Sequence, residues 1–273
     1  MDVRLGGGAG DKGKDLHDTT WKRWLDAPDA CDHLVQLYTD DAFLARAVVH
    51  FLTAGFAVGE AAVVIATPAH IALFGEHLPG FSEAHDRRQL VVLDADEYLK
   101  TLMVDGMLDR EAFLSTVSTV LDRVRAAGYL RMRLYGEMVN LLWQRAALEA
   151  AVRLEELWNE LLAVERLPLL CAYRIDNFDR YAHRRALGPI GKTHSHMIPV
   201  EDYDQLGRAV DRAYTDVFGR DGDAQTLRDL LVASLGPTAA MPSAQAALLA
   251  LRDVNAHTAD AVLERAKLYY SEG

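Results

Sequence analysis

The sequence predicts an α/β protein in which a parallel sheet lies between two layers of helices, followed by a helical C-terminal extension. Strand-like and helix-like segments alternate five times between about residues 30 and 180, which is typical of a three-layer α/β domain. Some of the strand-like segments are apolar throughout, as expected for parallel strands buried on both faces. Beyond about residue 205 only helical patterns follow.

The first half of the predicted domain contains three strands. The segment HLVQLY at residues 33–38 is the first strand, and Thr39 or Asp40 can cap the helix after it. The run AAVVIA at residues 61–66 and the segment at residues 90–93 are the second and third strands. A helix over residues 110–127 then ends at Gly128.

Residues 130–173 carry the strongest signal, a strand, a long helical pattern and a short apolar strand. Such a unit places its two strands in parallel, and ligands of such sheets bind beyond the carboxyl ends of the strands. Glu137 follows the first of these strands and Tyr173 ends the second. We therefore expect Glu137, Tyr173 and Cys171 to face a common crevice, bounded by Tyr38 and by the loop of residues 190–196.

The predicted organisation has three parts. Residues 1–30 form a flexible N-terminal tail, residues 31–205 form the α/β domain, and residues 206–273 form the helical extension. The last predicted helix, at residues 243–270, has apolar positions suited to packing or to a homodimer contact.

Composition excludes several classes of protein. The net charge of -11 argues against direct nucleic-acid binding, which needs clustered Lys and Arg. No apolar run reaches the roughly 20 residues that cross a bilayer, so we expect no membrane insertion. The two cysteines and the absence of a signal peptide at the start of the sequence fit a cytoplasmic protein.

A series of motifs in order resembles the MEDS sensory domain family over about residues 31–205. The motifs are HLVQLYTDDAFL, AGFAVGEAAVVIATPAH, VVLDADEYL, RMRLYGEMVNLLW, LEELWNELL, LLCAY and THSHMIPVEDY. The segment GEM followed by LEELWN is the most specific part of the resemblance. One position departs from the pattern, because Gly191 stands where we expect a cysteine in the family, which puts thiol chemistry at that place in doubt.

The resemblance implies a RecA- or KaiC-like core without a phosphate loop. It also implies a sensor of simple hydrocarbon derivatives in prokaryotic signal transduction and transcription regulation, with a signalling protein as partner. The residues support the loss of the phosphate loop independently. The segment after the first strand reads YTDDAF at residues 38–43, without the Lys-Ser/Thr pair, and its two acids would repel a triphosphate. We therefore expect no enzymatic activity.

The first hypothesis for the site is a pocket for a small hydrocarbon-derived or one-carbon ligand, with no cofactor required. Its candidate residues are His33, Tyr38, Glu137, Trp143, Cys171, Tyr173 and His194. Two of them have structural alternatives: Trp143 suits core packing better than a pocket wall, and Glu137 could instead pair with Arg131, Arg133 or Arg153.

Two further hypotheses stay open. Cys31, His33, His194 and His196, together with Cys171, offer nitrogen and sulfur ligands for a metal or haem, or else form ordinary hydrogen bonds. The other hypothesis is a degenerate RecA-like switch that binds a nucleotide.

Overall fold

The computed structural model describes residues 20–219 and 223–272, and its centre is a six-stranded sheet. The strands are β1 (His33–Tyr38), β2 (Ala61–Ala66), β3 (Leu90–Asp94), β4 (Met103–Val104), β5 (Met107–Leu108), β6 (Met132–Gly136), β7 (Leu169–Arg174) and β8 (His196–Ile198). The main sheet has the order β3-β2-β6-β7-β1-β8, and all its neighbouring strands run parallel. Strands β4 and β5 form a separate antiparallel pair.

Helices flank the sheet on both sides. They are α1 (Thr20–Asp26), α2 (Asp41–Ala57), α3 (Pro68–His77), α4 (Phe81–Asp86), α5 (Ala95–Thr101), α6 (Arg110–Ala126), α7 (Met138–Gln144), α8 (Leu148–Glu165), α9 (Arg180–Arg185), α10 (Leu187–Thr193), α11 (Tyr203–Phe218), α12 (Asp223–Ser234), α13 (Ser243–Val254) and α14 (Ala256–Glu272). The predicted three-layer α/β class with C-terminal helices is confirmed.

Two predicted long helices are each divided. The helical pattern after Glu137 forms α7 and α8, which are separated where Ala146 adopts a positive φ of 58°. The predicted helix at residues 243–270 is interrupted at Asn255, whose extended backbone ends α13 and whose side chain accepts a hydrogen bond from the N–H of Thr258. Periodicity alone does not show these breaks, because the apolar spacing continues across them.

Part of the predicted N-terminal tail has a defined structure. Residues 20–26 form α1, in which Trp21 and Leu25 are buried against α2 and the sheet. These two side chains lie four residues apart on one helix face, but the segment is too short to give a periodic signal. Residues 1–19 lie outside the described residues.

The main sheet is buried on both faces, with a separate core on each. Helices α1–α4 cover the face that carries Leu34 and Tyr38, whereas α5–α8 and α10 cover the face that carries Val35 and Leu37. Successive side chains of a strand point to opposite faces, so each strand contributes to both cores. A third core joins α11–α14, and Phe178 from the α/β domain belongs to it.

The amino end of β6 is tied to α1 and α2 by a buried arginine. Nε of Arg133 lies 2.5 Å from Oε2 of Glu60, and the guanidinium donates to the backbone carbonyls of Leu25, Asp26 and Phe51. Gly55 permits this approach, because a Cβ there would lie 2.7 Å from Nε of Arg133. The arginine therefore holds β6, α1 and α2 together near the amino ends of the inner strands.

Replacing Arg133 by Met should lower the free energy of unfolding by about 3–5 kcal/mol, because Glu60 and three buried carbonyls would lose their partner. Arg131 is the matched control: its side chain is 68% exposed and lies 3.8 Å from the same carboxylate. Arg131→Met should cost less than about 1 kcal/mol. Urea denaturation measures both values, and equal losses would contradict this role of Arg133.

Candidate functional site

Strands β1, β2, β6 and β7 end at one edge of the sheet, where Glu137 is the central buried group. Glu137 has no exposed surface and follows β6 directly. Its carboxylate accepts hydrogen bonds from the backbone N–H of Thr67 and, at 3.1 Å, from the hydroxyl of Tyr135. Nδ1 of His70 lies 2.6 Å from Oε2 of Glu137. A helix start, a strand and a histidine thus all converge on this carboxylate.

The predicted arginine partners of Glu137 are wrong. Arg131 and Arg133 pair with Glu60, and Arg153 pairs with Glu156. The sequence offered no local clue to His70, since it lies 67 residues away on α3.

A polar network extends from Glu137 along the edge. Nε2 of His70 lies 3.6 Å from Asp41, which also contacts the guanidinium of Arg174. The backbone N–H of Arg174 donates to Asn140, whose side-chain amide donates to the hydroxyl of Tyr38 at 3.3 Å. Burial, reinforced by the charge of Glu137, raises the pKa of Tyr38 well above its usual range, so its hydroxyl keeps its proton. These residues are called the edge network below.

The pair of His70 and Glu137 makes stability depend on pH. Burial lowers the pKa of His70, but the hydrogen bond and charge of Glu137 outweigh it, so the pKa is raised in the folded protein. Stabilisation by a group with a raised folded pKa is complete below its unfolded pKa of about 6.5, and is lost as pH rises through the folded pKa.

The substitution His70→Gln should therefore reduce the free energy of unfolding most at mildly acid pH, by roughly 1–3 kcal/mol. The difference from the wild type should shrink as pH rises through the folded pKa. Denaturation series at several pH values measure this, with His85→Gln on the exposed side of α4 as the control. A difference that grows towards alkaline pH would contradict the assignment.

The start of α2, which is the position of a phosphate loop in RecA-like proteins, is capped by the carboxylate of Asp40. The carboxylate of Asp40 accepts hydrogen bonds from the backbone N–H groups of Ala42, at 3.0 Å, and Phe43, at 3.2 Å. In a phosphate-binding loop such N–H groups would bind the ligand's anion. Here the side chain of Asp40 satisfies them.

A cavity of about 460 Å³ opens beside the edge network, between the carboxyl ends of β1 and β7 and the last helix, α14. Its lining is Leu37, Tyr38, Thr39, Asp40, Phe43, Ile175, Asp176, Asn177, Phe178, Pro199, Val200, Glu201, Lys267, Tyr270 and Ser271. Apolar and aromatic side chains form most of the wall. This volume falls in the range of small-molecule sites, about 300–1,000 Å³.

The charged groups of the cavity wall have partners. Nζ of Lys267 lies 2.6 Å from Asp176, and Arg46 holds Glu201 with two hydrogen bonds. Asn177 differs from them: its amide donates to Gln245, but its buried Oδ1 finds no hydrogen-bond partner among the described residues. That oxygen is enclosed by the protein, so the wall presents a mostly apolar surface whose charges are already paired.

Four other side chains, all of types that can bind a metal, meet inside the protein on the face of the sheet opposite Tyr38. His33 begins β1, Cys171 lies in β7, Glu155 lies in α8 and His194 follows α10. One ligand atom of each lies within 4.8 Å of those of the others, and all four residues are buried. The hydroxyl of Tyr173 donates to Glu155 at 2.7 Å. The four residues are called the interior cluster below.

Burial dominates the electrostatics of the interior cluster. It raises the pKa of the Cys171 thiol and of the Tyr173 hydroxyl well above their usual ranges, and the charge of Glu155 adds to both. It also lowers the pKa of His194, with His33 as the next cause. Burial would raise the pKa of Glu155, but the facing His194 and His33 outweigh it and keep Glu155 ionised.

The structure separates six of the seven predicted ligand-binding residues into two groups, and Trp143 lies apart from both. Tyr38 and Glu137 lie at the carboxyl edge, whereas His33, Cys171, Tyr173 and His194 belong to the interior cluster or contact it. Trp143 is half-buried on α7, with its ring 5.9 Å from that of Tyr181.

The expected common crevice of Glu137, Tyr173 and Cys171 is therefore wrong. Cys171 and Tyr173 point to the face covered by α8, while Tyr38 points to the opposite face. The loop of residues 190–196 also lies elsewhere, because Ser195 N–H bonds to the carbonyl of His33 at the amino end of β1.

The predicted metal residues are only partly brought together. His33 and His194 meet, with rings 4.0 Å apart, but Cys31 is exposed on the surface. His196 instead lies beside Asp32 and Ser195. Sequence reasoning missed Glu155, although an acid within the apolar face of a helix, between Ala151 and Trp158, was a usable signal.

Comparison with known families gives one match. A family model described as "MEDS: MEthanogen/methylotroph, DcmR Sensory domain" matches residues 32–188, more than half of the 273 residues. The chain belongs to the MEDS family. Because MEDS is a sensory domain, a sensor role follows for this protein. No curated protein matched the chain.

The MEDS match ends within α10, so the cavity combines two parts of the chain. Tyr38, Asn177 and Phe178 belong to the matched region, whereas Val200 and Tyr270 lie beyond it. Among the described residues, no helix is both long and apolar enough to cross a membrane.

Proposed function

We propose that this MEDS protein is a non-enzymatic sensor that binds a small, mostly apolar ligand in the cavity beside the edge network. The observation that carries the proposal is the position of the cavity between the α/β domain and α14. A ligand there contacts the α/β domain and a helix of the third core at once. Its binding energy can therefore favour one relative arrangement of the domain and that helix over another.

The chemistry of the wall indicates the class of ligand. Leu37, Phe43, Ile175 and Val200 offer an apolar surface, and the neighbouring charges are already paired. These features favour a small, mostly apolar hydrocarbon derivative or one-carbon compound.

The route of the signal is short. Phe178 leaves the α/β domain to join the core of α11–α14, and its ring lies 5.2 Å from that of Tyr270, which lines the cavity. A ligand that shifts Tyr270 thereby acts on the packing of α11 and α14. We propose that a signalling protein in the cytoplasm reads this change and passes it to transcription, since the net charge of -11 disfavours direct contact with DNA.

Differential scanning calorimetry with alcohols, haloalkanes and methylated amines tests the ligand site. A ligand at about 100-fold excess over its Kd should raise the melting temperature by about 5 °C or more. The substitution Val200→Trp, which fills the cavity, should abolish this rise. Val254→Trp places the same ring at a position that is 69% exposed, and it should leave the rise intact.

No rise with any of these ligands, or an equal rise in Val200→Trp, would contradict the proposed site. A lower melting temperature of the ligand-free variant would not affect the comparison, because each variant is measured against its own ligand-free state.

The nucleotide-switch alternative gives the opposite expectation for ATP. Because Asp40 already satisfies the N–H groups at the start of α2, titration calorimetry should detect no magnesium-dependent ATP binding in the sub-millimolar range. GTP and ADP serve as further probes. Binding in that range would overturn the non-enzymatic proposal in favour of a RecA-like switch.

A further inference from the structure

We propose that the interior cluster is a binding site for a divalent transition metal of the zinc class, with His33, Glu155, Cys171 and His194 as its four ligands. This site lies against Cys171, on the face of the sheet opposite Tyr38, and none of its four ligands lines the cavity. It is therefore independent of the proposed ligand site, and either can fail without the other.

Three of the ligand atoms have the mutual spacing of neighbouring positions in a tetrahedral site, and His194 approaches the other oxygen of the Glu155 carboxylate. Nε2 of His33 lies 3.2 Å from Oε2 of Glu155 and 3.3 Å from Sγ of Cys171, and Sγ lies 3.6 Å from the same oxygen. Nε2 of His194 lies 3.4 Å from Oε1 of Glu155. Zinc bonds of about 2.0–2.3 Å at tetrahedral angles place neighbouring ligand atoms roughly 3.3–3.6 Å apart.

The hydrogen bonds of the two imidazoles leave the same nitrogen of each ring facing the cluster. Nδ1 of His33 lies 2.9 Å from Oδ1 of Asn159, whose own amide donates to the carbonyl of Thr193. Nδ1 of His194 lies 2.7 Å from the carbonyl of Ile190. Both Nδ1 atoms must therefore donate, and in a neutral imidazole Nε2 then carries a lone pair.

These lone pairs face acceptors. Nε2 of both rings points towards the carboxylate of Glu155, and Nε2 of His194 is buried without a hydrogen-bond partner in the described part of the chain. The thiol of Cys171 can donate to Nε2 of His33, but between Nε2 of His194 and the carboxylate either a further proton or a cation must lie. Metal-bound histidines show the same arrangement, with Nε2 on the metal and Nδ1–H on a carbonyl or amide oxygen.

Charge balance also favours a dication. A Cys171 thiolate and the Glu155 carboxylate carry two negative charges, which a divalent ion neutralises within a cluster whose members are at most 6% exposed. The hydroxyl of Tyr173 would hold the carboxylate in place from outside the ligand set. Two nitrogens, one sulfur and one oxygen in a closed tetrahedral set suit zinc, whereas a haem would need space that these contacts do not leave.

Metal analysis of the purified, untagged chain tests the site, followed by removal with a chelator and reloading with Co²⁺. We expect about one ion per chain, the visible bands of tetrahedral Co²⁺, and a thiolate-to-cobalt charge-transfer band. Cys31→Ser should keep this band, which can then come only from Cys171, because the chain has two cysteines. The band in Cys31→Ser identifies Cys171 as the sulfur ligand, whether or not a Cys171→Ser variant folds.

The histidines are tested with a matched pair. His194→Gln should abolish stoichiometric Co²⁺ binding, whereas His196→Gln, two residues away and outside the cluster, should bind as the wild type does. The proposal is overturned if the reloaded wild type binds no ion, which would leave an imidazolium–carboxylate pair. It is equally overturned if the charge-transfer band disappears in Cys31→Ser.

Discussion

The fold depends on a parallel sheet that is buried on both faces. Each strand contributes side chains to the core on either face, because successive side chains point to opposite faces of the sheet. This alternation places Tyr38 in the edge network, Cys171 in the interior cluster and Tyr173 in contact with that cluster. The edge network and the interior cluster thus both arise from neighbouring strands, but they contact different helices.

The sequence was sufficient for the fold class, because apolar strands and amphipathic helices encode burial through local patterns. It also placed Glu137 at a carboxyl end, since a strand and a helix start are both local features. It could not pair Glu137 with His70 or Cys171 with Glu155, as those contacts depend on which strands become neighbours. Residues of β1 and β7 lie side by side although more than 130 positions separate them.

We propose the cavity as the place where this sensory protein binds its ligand. Ligand sites in open α/β sheets lie beyond the carboxyl ends of the strands, and here that region is closed by α14 from outside the MEDS match. The start of α2 is capped by Asp40, so the protein itself satisfies the N–H groups of Ala42 and Phe43. What remains beside it is an apolar space bounded by a helix that belongs to another core.

Hydrogen exchange measured by mass spectrometry, with and without a ligand that raises the melting temperature, tests whether the ligand binds between the α/β domain and α14. We expect slower exchange in α14 and in residues 175–178, because the ligand would contact both. Exchange that slows only around Phe81 and Val92, at the smaller cavity beside α4 on the far edge of the sheet, would contradict it.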